Sequence, residues 1–200
     1  MFIYIDGYSE LLASHGTDRT IEWLDRIFCM YDRMISKRFA GKVVKIETFS
    51  NFYLAASGCP IPSKDHAVEC ILAVINLLKA TRLVRRPDGR PTTVRAGLCS
   101  GPTCAGVIGN ACPRFSIFGD TVNTASRMAS TADSSDYNLE CSVHLAESTK
   151  DLVGFRQTLN LSPQILNCGA GWFRAHFVVI CAPYWTPSEL DHNPCWTPKP

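Results

Sequence analysis

The stretch Pro113-Arg114-Phe115-Ser116-Ile117-Phe118-Gly119-Asp120-Thr121-Val122-Asn123-Thr124-Ala125-Ser126-Arg127-Met128 decides how the rest of this chain is read. It reads as a short strand, a Gly-Asp turn and a helix that opens at Thr121. In that helix Asn123 and Arg127 are four residues apart, which places an amide and a guanidinium on one face, one turn apart. An amide that can orient a sugar, beside a cation that can take up charge developing on phosphate, suits phosphoryl chemistry on a nucleotide. Spacing alone equally fits a surface helix with an exposed Asn and Arg. Asp120, in the turn, is expected to cap the helix that follows.

Working back from this stretch, Thr93 to Ser100 reads as a strand with Val94, Ala96 and Leu98 inward, and Gly101-Pro102 turns it toward a second run, Thr103 to Gly109. The basic stretch Arg82 to Arg90 encloses the turn signal Pro87-Asp88-Gly89 and reads as a solvated rim. Ser63 is placed to cap an amphipathic helix carrying Ala67, Cys70, Ile71, Val74, Ile75 and Leu78. Lys42 to Glu47 and Phe52 to Ser57 form a predicted hairpin through Thr48 to Asn51. Before it lies a longer helix, with Thr17 or Asp18 as cap and Ile21, Leu24, Phe28, Tyr31 and Ile35 on one stripe, ending near Phe39-Ala40-Gly41. The chain opens with Phe2-Ile3-Tyr4-Ile5-Asp6, a buried strand that breaks at Gly7. It reads as starting inside that first strand, as a fragment of a longer protein would.

Downstream of the motif, Asn138 to Val143 reads as a strand, His144 to Leu152 as a short helix, and Phe155 to Leu161 and Trp172 to Ile180 as two last strands. Residues 181–200 hold a proline-rich polar run and are expected to be a disordered tail, leaving 1–180 as one domain. Strands interleaved with long helices in a domain this size point to an α+β fold, a mostly antiparallel sheet with helices packed on one face.

Composition narrows the function class. The 200 residues are 46% hydrophobic, enough for one well-buried core. With 20 basic and 18 acidic side chains, the net charge of +2 provides no broad field for nucleic acid or anionic lipid, so a nucleotide has to be held by local groups. The longest apolar run, Cys70 to Leu78, is far too short to span a bilayer, and the N-terminal residues lack the pattern of a signal peptide. Ten scattered cysteines, with no C-x-x-C pair, argue against a zinc site or a disulfide framework and for a reducing compartment.

The quoted stretch resembles the signature of the class III nucleotide cyclases, and of guanylyl cyclases in particular. Two more segments carry the resemblance in the same order: Val44-Lys45-Ile46-Glu47-Thr48 followed by Tyr53 to Pro60, and Val94-Arg95-Ala96-Gly97-Leu98-Cys99-Ser100-Gly101-Pro102. The resemblance as a whole runs from about Met1 to Val179. The resemblance implies a ferredoxin-like core that dimerises head to tail, with each active site shared between two chains. One chain supplies metal-binding residues and the other the residues for base and ribose. The implied reaction is attack of the ribose 3'-hydroxyl on the α-phosphorus of GTP, giving 3',5'-cyclic GMP and pyrophosphate with Mg²⁺ or Mn²⁺ as cofactor.

Residue by residue, the resemblance makes Glu47 the base-selecting carboxylate, able to accept from both N1–H and the exocyclic amino group of guanine. Ser116 stands where guanylyl cyclases usually carry Cys, with a hydroxyl that can donate to the guanine carbonyl. Asn123 matches the ribose-orienting residue and Arg127 the one that stabilises charge in transfer.

The departures lie on the other half of the site. Tyr4 and Asn51 stand at the two metal-aspartate positions, with Asp6 the one nearby substitute, and Cys168-Gly169-Ala170-Gly171 stands where the family has its triphosphate-binding lysine. A neutral phenol and an amide are poor ligands for a hard divalent ion. The expectation is a chain that supplies the base and ribose half of a heterodimeric site, the metal carboxylates coming from a different cyclase chain. A degenerate cyclase-homology domain serving dimerisation or regulation is the alternative. The family also implies a cytosolic domain, with the parent protein as a candidate for membrane association.

Overall fold

The computed structural model describes residues 1–132, 141–153 and 175–178. Its first strand, β1 (Phe2–Ile5), leads through Gly7 into a short helix, α1 (Tyr8–His15), and then α2 (Thr17–Arg38). A hairpin of β2 (Val43–Phe49) and β3 (Phe52–Ser57) is followed by α3 (His66–Thr81) and β4 (Val94–Leu98). This β-α-β-β-α-β unit has the sheet order β2-β3-β1-β4, with every pair in it antiparallel, which is the ferredoxin-like arrangement. The second half adds a separate two-stranded sheet, β5 (Cys104–Ile108) with β6 (Arg114–Phe118), then α4 (Asp120–Ser130), β7 (Cys141–Ala146), α5 (Glu147–Val153) and β8 (Ala175–Val178). β7 joins the main sheet parallel to β4, and β8 closes its edge antiparallel to β7.

Side-chain alternation along β1 divides the core into two layers. Ile3 and Ile5 are fully buried on one face, where they meet Trp23, Leu24, Ile27, Tyr31 and Ile35 of α2 and Ile71, Val74, Leu77 and Leu78 of α3. Phe2 and Tyr4 face the other way, toward Leu54 and Phe52 of β3 and Ala125 and Ala129 of α4. Helices therefore cover both faces of the sheet. The one-face expectation fails at α4, whose packing stripe is built from alanines and carries too little hydrophobicity to mark it as a core helix.

Other local expectations shift for identifiable reasons. Ile21 is 55% exposed, because Trp23 and Ile27 hold the buried stripe of α2 and turn it away from Ile21. Gly16, not Thr17 or Asp18, precedes α2, and α1 inserts one more amphipathic turn pair before it, with Leu11 buried. Gly7 adopts φ 79°, a left-handed conformation open to glycine, and lets the chain reverse directly from β1 into α1. Asp65 occupies the cap position of α3, while Ser63 Oγ accepts from its backbone N–H at 3.2 Å. His144 lies in β7, and the helix starts at Glu147. The predicted strand at 155–161 and the tail at 181–200 lie outside the described residues.

Three polar clusters tie these layers together. Tyr31 and Thr81 join α2 to α3 at 2.5 Å. Asp32 accepts from Tyr53 Oη at 2.8 Å and from Lys45 Nζ at 2.6 Å, and burial pushes the Tyr53 phenol well above its ordinary value, with the hydrogen bond to Asp32 adding to it. Arg86, with only 7% of its side chain exposed, pairs with Glu10 and Asp88, and both acids also pair with Arg90. The basic stretch 82–90 is therefore partly a buried clamp on α1, not only a solvated rim.

Candidate functional site

Helix α4 begins at Gly119, and no side chain caps it. Asp120 is its first residue and makes no capping bond, contrary to expectation; its charge sits instead at the positive end of the helix. Thr121 Oγ1 donates to the Pro102 carbonyl at 2.7 Å and anchors the helix start to the connection after β4. Ala125, Met128 and Ala129 are buried against the sheet, whereas Asn123 and Arg127 lie exposed. The four-residue spacing thus presents both groups outward from a helix whose inner face is fixed.

Glu47 reaches the same side of the sheet through a bulge. In a regular strand Lys45 and Glu47 would point the same way. Here Lys45 pairs with Ala55 but Glu47 pairs with Leu54, so the register slips by one residue at Ile46. Lys45 then meets Asp32 of α2 on one face, and Glu47 meets Arg114 of β6 on the other, Nη1 to Oε1 at 3.7 Å. Ser116 is two residues beyond Arg114 on β6 and so shares its face. Arg114 is the site residue that sequence reasoning passed over, although it lies inside the stretch that decided the fold. Only the bulge, which the residue pattern does not reveal, brings its partner within reach.

The groups at the family's metal positions are already engaged. Tyr4 Oη hydrogen-bonds Ser126 Oγ of α4 at 3.0 Å. Asn51 Nδ2 donates to the Ile5 carbonyl at 2.9 Å, so the side chain turns a donor, not a ligand oxygen, toward the end of β1. Asp6 projects on the Tyr4 side but accepts from Arg95 Nε at 2.7 Å. Among the described residues no cluster of three or more His, Cys, Asp or Glu side chains is arranged to hold a metal ion. A phenol, an amide turned donor-first and a carboxylate neutralised by arginine do not fit Mg²⁺ or Mn²⁺. Cys168 to Gly171 lie outside the described residues.

A cavity of about 310 Å³ opens between the starts of α3 and α4, lined by Ile117, Thr121 and Val122 of the motif and by Cys59, Cys70 and Cys99. None of Glu47, Ser116, Asn123 or Arg127 lines it. Asn123 and Arg127 stand on open surface, and Glu47 and Ser116 are half-buried beside them.

With this geometry in place, residues 1–163 match the model of the adenylate and guanylate cyclase catalytic domain. The chain belongs to that family. This cyclase domain is 31% identical to guanylate cyclase soluble subunit beta-2 of Rattus norvegicus over 151 residues, covering 75% of the chain and 22% of that protein. It is 35% identical to guanylate cyclase 32E of Drosophila melanogaster over 156 residues, covering 76% of the chain and 13% of that protein. The cyclase domain therefore spans less than a quarter of the length of these curated relatives. Among solved structures it resembles the guanylate cyclase domain of RhGC from Catenaria anguillulae in complex with GTP, with a TM-score of 0.74 and 28% identity over 90% of this chain and 93% of that one. The non-canonical dimeric guanylyl cyclase domain of the RhoGC fusion protein from Blastocladiella emersonii gives a TM-score of 0.66 and 31% identity, over 76% of this chain and 80% of that one. The α+β architecture and the cyclase family read from the sequence both stand. No helix among the described residues is long and apolar enough to cross a membrane.

Proposed function

We propose that this chain is the base- and ribose-binding half of a guanylyl cyclase, forming cyclic GMP and pyrophosphate from GTP in a head-to-tail dimer with a different cyclase chain. One observation carries the reading: Asn123 and Arg127 are exposed on α4 and Glu47, half-exposed beside Arg114, reaches the same side of the sheet, while Tyr4, Asn51 and Asp6 stand as a phenol, an amide donor and an arginine-paired carboxylate. Glu47 reads guanine by accepting from N1–H and the 2-amino group, and adenine, which has an acceptor at N1, is repelled there. Ser116 donates to the guanine carbonyl. Asn123 orients the ribose, and Arg127 takes up charge on the α-phosphate as the 3'-oxygen attacks. Carboxylates for divalent ions come from the partner chain in this reading; a cytosolic location, whether or not the parent protein is anchored, is part of the same proposal.

The reading is tested by cyclic GMP formation from GTP with Mn²⁺, using the purified chain alone and mixed with a cyclase chain that carries both metal aspartates. The expected result is no turnover alone, turnover in the mixture, and loss of about 10²- to 10³-fold on Arg127→Ala, as for removal of a charge-stabilising group. A mixture inactive with every competent partner, and a chain that binds no GTP, would overturn it and leave a dimerisation or regulatory module. Activity of the chain alone would return Asp6 as a ligand, and Asp6→Asn should then abolish it.

A further inference from the structure

Tyr4 does more than vacate a metal position. Its ring is one corner of a three-ring cluster, stacked on Phe2 at 6.0 Å and edge-on to Phe52 at 6.0 Å with Phe2 and Phe52 5.4 Å apart, and its hydroxyl is directed toward α4. There it meets Ser126 at 3.0 Å. Ser126 adjoins Arg127 and follows Asn123 by three residues, which places it within the turn that joins the two. Directly across from Tyr4 in the β1–β4 register is Arg95. Its Nε donates to Asp6 and its Nη1 to the Ser130 carbonyl at 2.9 Å, near the end of the same helix. Two polar ties from neighbouring strand positions therefore straddle Arg127, one at Ser126 and one at Ser130.

The packing alone does not set α4 in place so sharply. Its closest contact with the sheet is made by Ala125 and Ala129 over Gly97, where a side chain on Gly97 would lie 2.2 Å from the Ala125 carbonyl oxygen and the Ala129 nitrogen. Met128 is the one large side chain of α4 buried with them. Two small residues on a bare strand backbone fix the distance between helix and sheet, but with a single large side chain beside them they do not by themselves stop rotation or sliding. Directional hydrogen bonds do.

We propose that Tyr4 is a positioning residue: through Ser126, with Asp6–Arg95–Ser130 as the second tie, it sets the rotation of α4 and hence where Asn123 and Arg127 stand. This rests on the proposed function, since the setting of α4 matters to turnover only if those two residues act there. The strand end that would hold a metal carboxylate in a self-sufficient cyclase is here coupled to the opposite half-site of the same chain.

The test uses the whole chain with Tyr4→Phe, which keeps the ring packing, with Ser126→Ala, and with both. Amide hydrogen exchange over residues 120–130 is measured on the chain alone, and kcat and KM for GTP in the mixture with a competent partner. Loss of one ordinary hydrogen bond predicts about a fivefold rise in exchange for each single variant. The double variant should show no further rise, because both changes remove the same bond. A kcat lowered about fivefold, with KM for GTP nearly unchanged, is expected alongside. Unaltered exchange, or additive effects in the double variant, would overturn the tie. Raised exchange with unchanged kcat would overturn the positioning role while leaving the proposed function intact. A wild-type mixture that makes no cyclic GMP would count against the proposed function, and the exchange measurement would still decide the tie.

Discussion

At the scale of the residue, Asn51 shows how a family position can be held by different chemistry. Its side-chain amide donates to the Ile5 carbonyl, and its own carbonyl accepts from Ile5 N–H at 2.8 Å, so the hairpin tip is stitched to the end of β1 by a reciprocal pair. Asn51→Asp would place a carboxylate oxygen against a carbonyl oxygen. The expected outcome is a loss of about 1–3 kcal/mol of stability, read as a lower urea midpoint with an unchanged slope. Ser50, next to it, sits at φ 52° in the two-residue turn between Phe49 and Phe52. Ser50→Gly should relieve that strain and raise the same midpoint by up to about 1 kcal/mol. Reinstating one metal carboxylate in this chain therefore works against its fold.

At the scale of the element, α4 depends on a strand with no side chain beneath it. Gly97→Ala is expected to cost about 3 kcal/mol, since the added methyl meets helix backbone and not a movable side-chain tip. Denaturant unfolding measures the cost, and amide exchange should rise first in residues 120–130. Much of this architecture could be read from residues: the Val94, Ala96 and Leu98 alternation is fully buried as expected, and the two long helices and the hairpin fall within a few residues of their predicted bounds. What escaped was whatever depended on tertiary context. The bulge at Ile46 leaves no mark in a β-branched run, and it alone separates Glu47 from the face of Lys45. The placement of α4 on the opposite face depends on Gly97 and two alanines, residues whose small size is uninformative until the partner is known. Of the proposed site, Glu47, Ser116, Asn123 and Arg127 come from the resemblance alone, while the ties of Tyr4, Asn51 and Asp6 were not legible, because hydrogen-bond partners distant in sequence leave no periodic trace.

At the scale of the whole molecule, the sheet carries a pH-sensitive contact beneath α4. His144 of β7 is 3% exposed, hydrogen-bonds the Met128 backbone, and has a buried Nδ1 with no hydrogen-bond partner among the described residues. Burial lowers its pKa below the ordinary histidine value, and the bond to Met128 offsets this only in part. The unfolded chain then takes up the proton first as pH falls, so stability declines from the ordinary histidine range downward until the folded protein also protonates. The slope from this one group is at most about 1.4 kcal/mol per pH unit. His144→Gln, which keeps a donor but cannot titrate, should flatten the urea midpoint between pH 7 and pH 5 relative to the parent chain. Millimolar Mn²⁺ should leave the midpoint of the isolated chain unmoved, and an upward shift abolished by Asp6→Asn would show that Asp6 binds the ion after all.

The position of β1 at the centre of the sheet also governs how the chain reaches this state. Phe2 pairs with Leu54 on one side and Gly97 on the other, so neither partner of the central strand is close to it in sequence. Assembly must close one long loop before the inner strand gains its first ladder bond, and a second before it is paired on both sides. Folding should accordingly be slow for a domain of this size, with the locally formed β2–β3 hairpin and the α2–α3 pair waiting for β1 and β4 to meet.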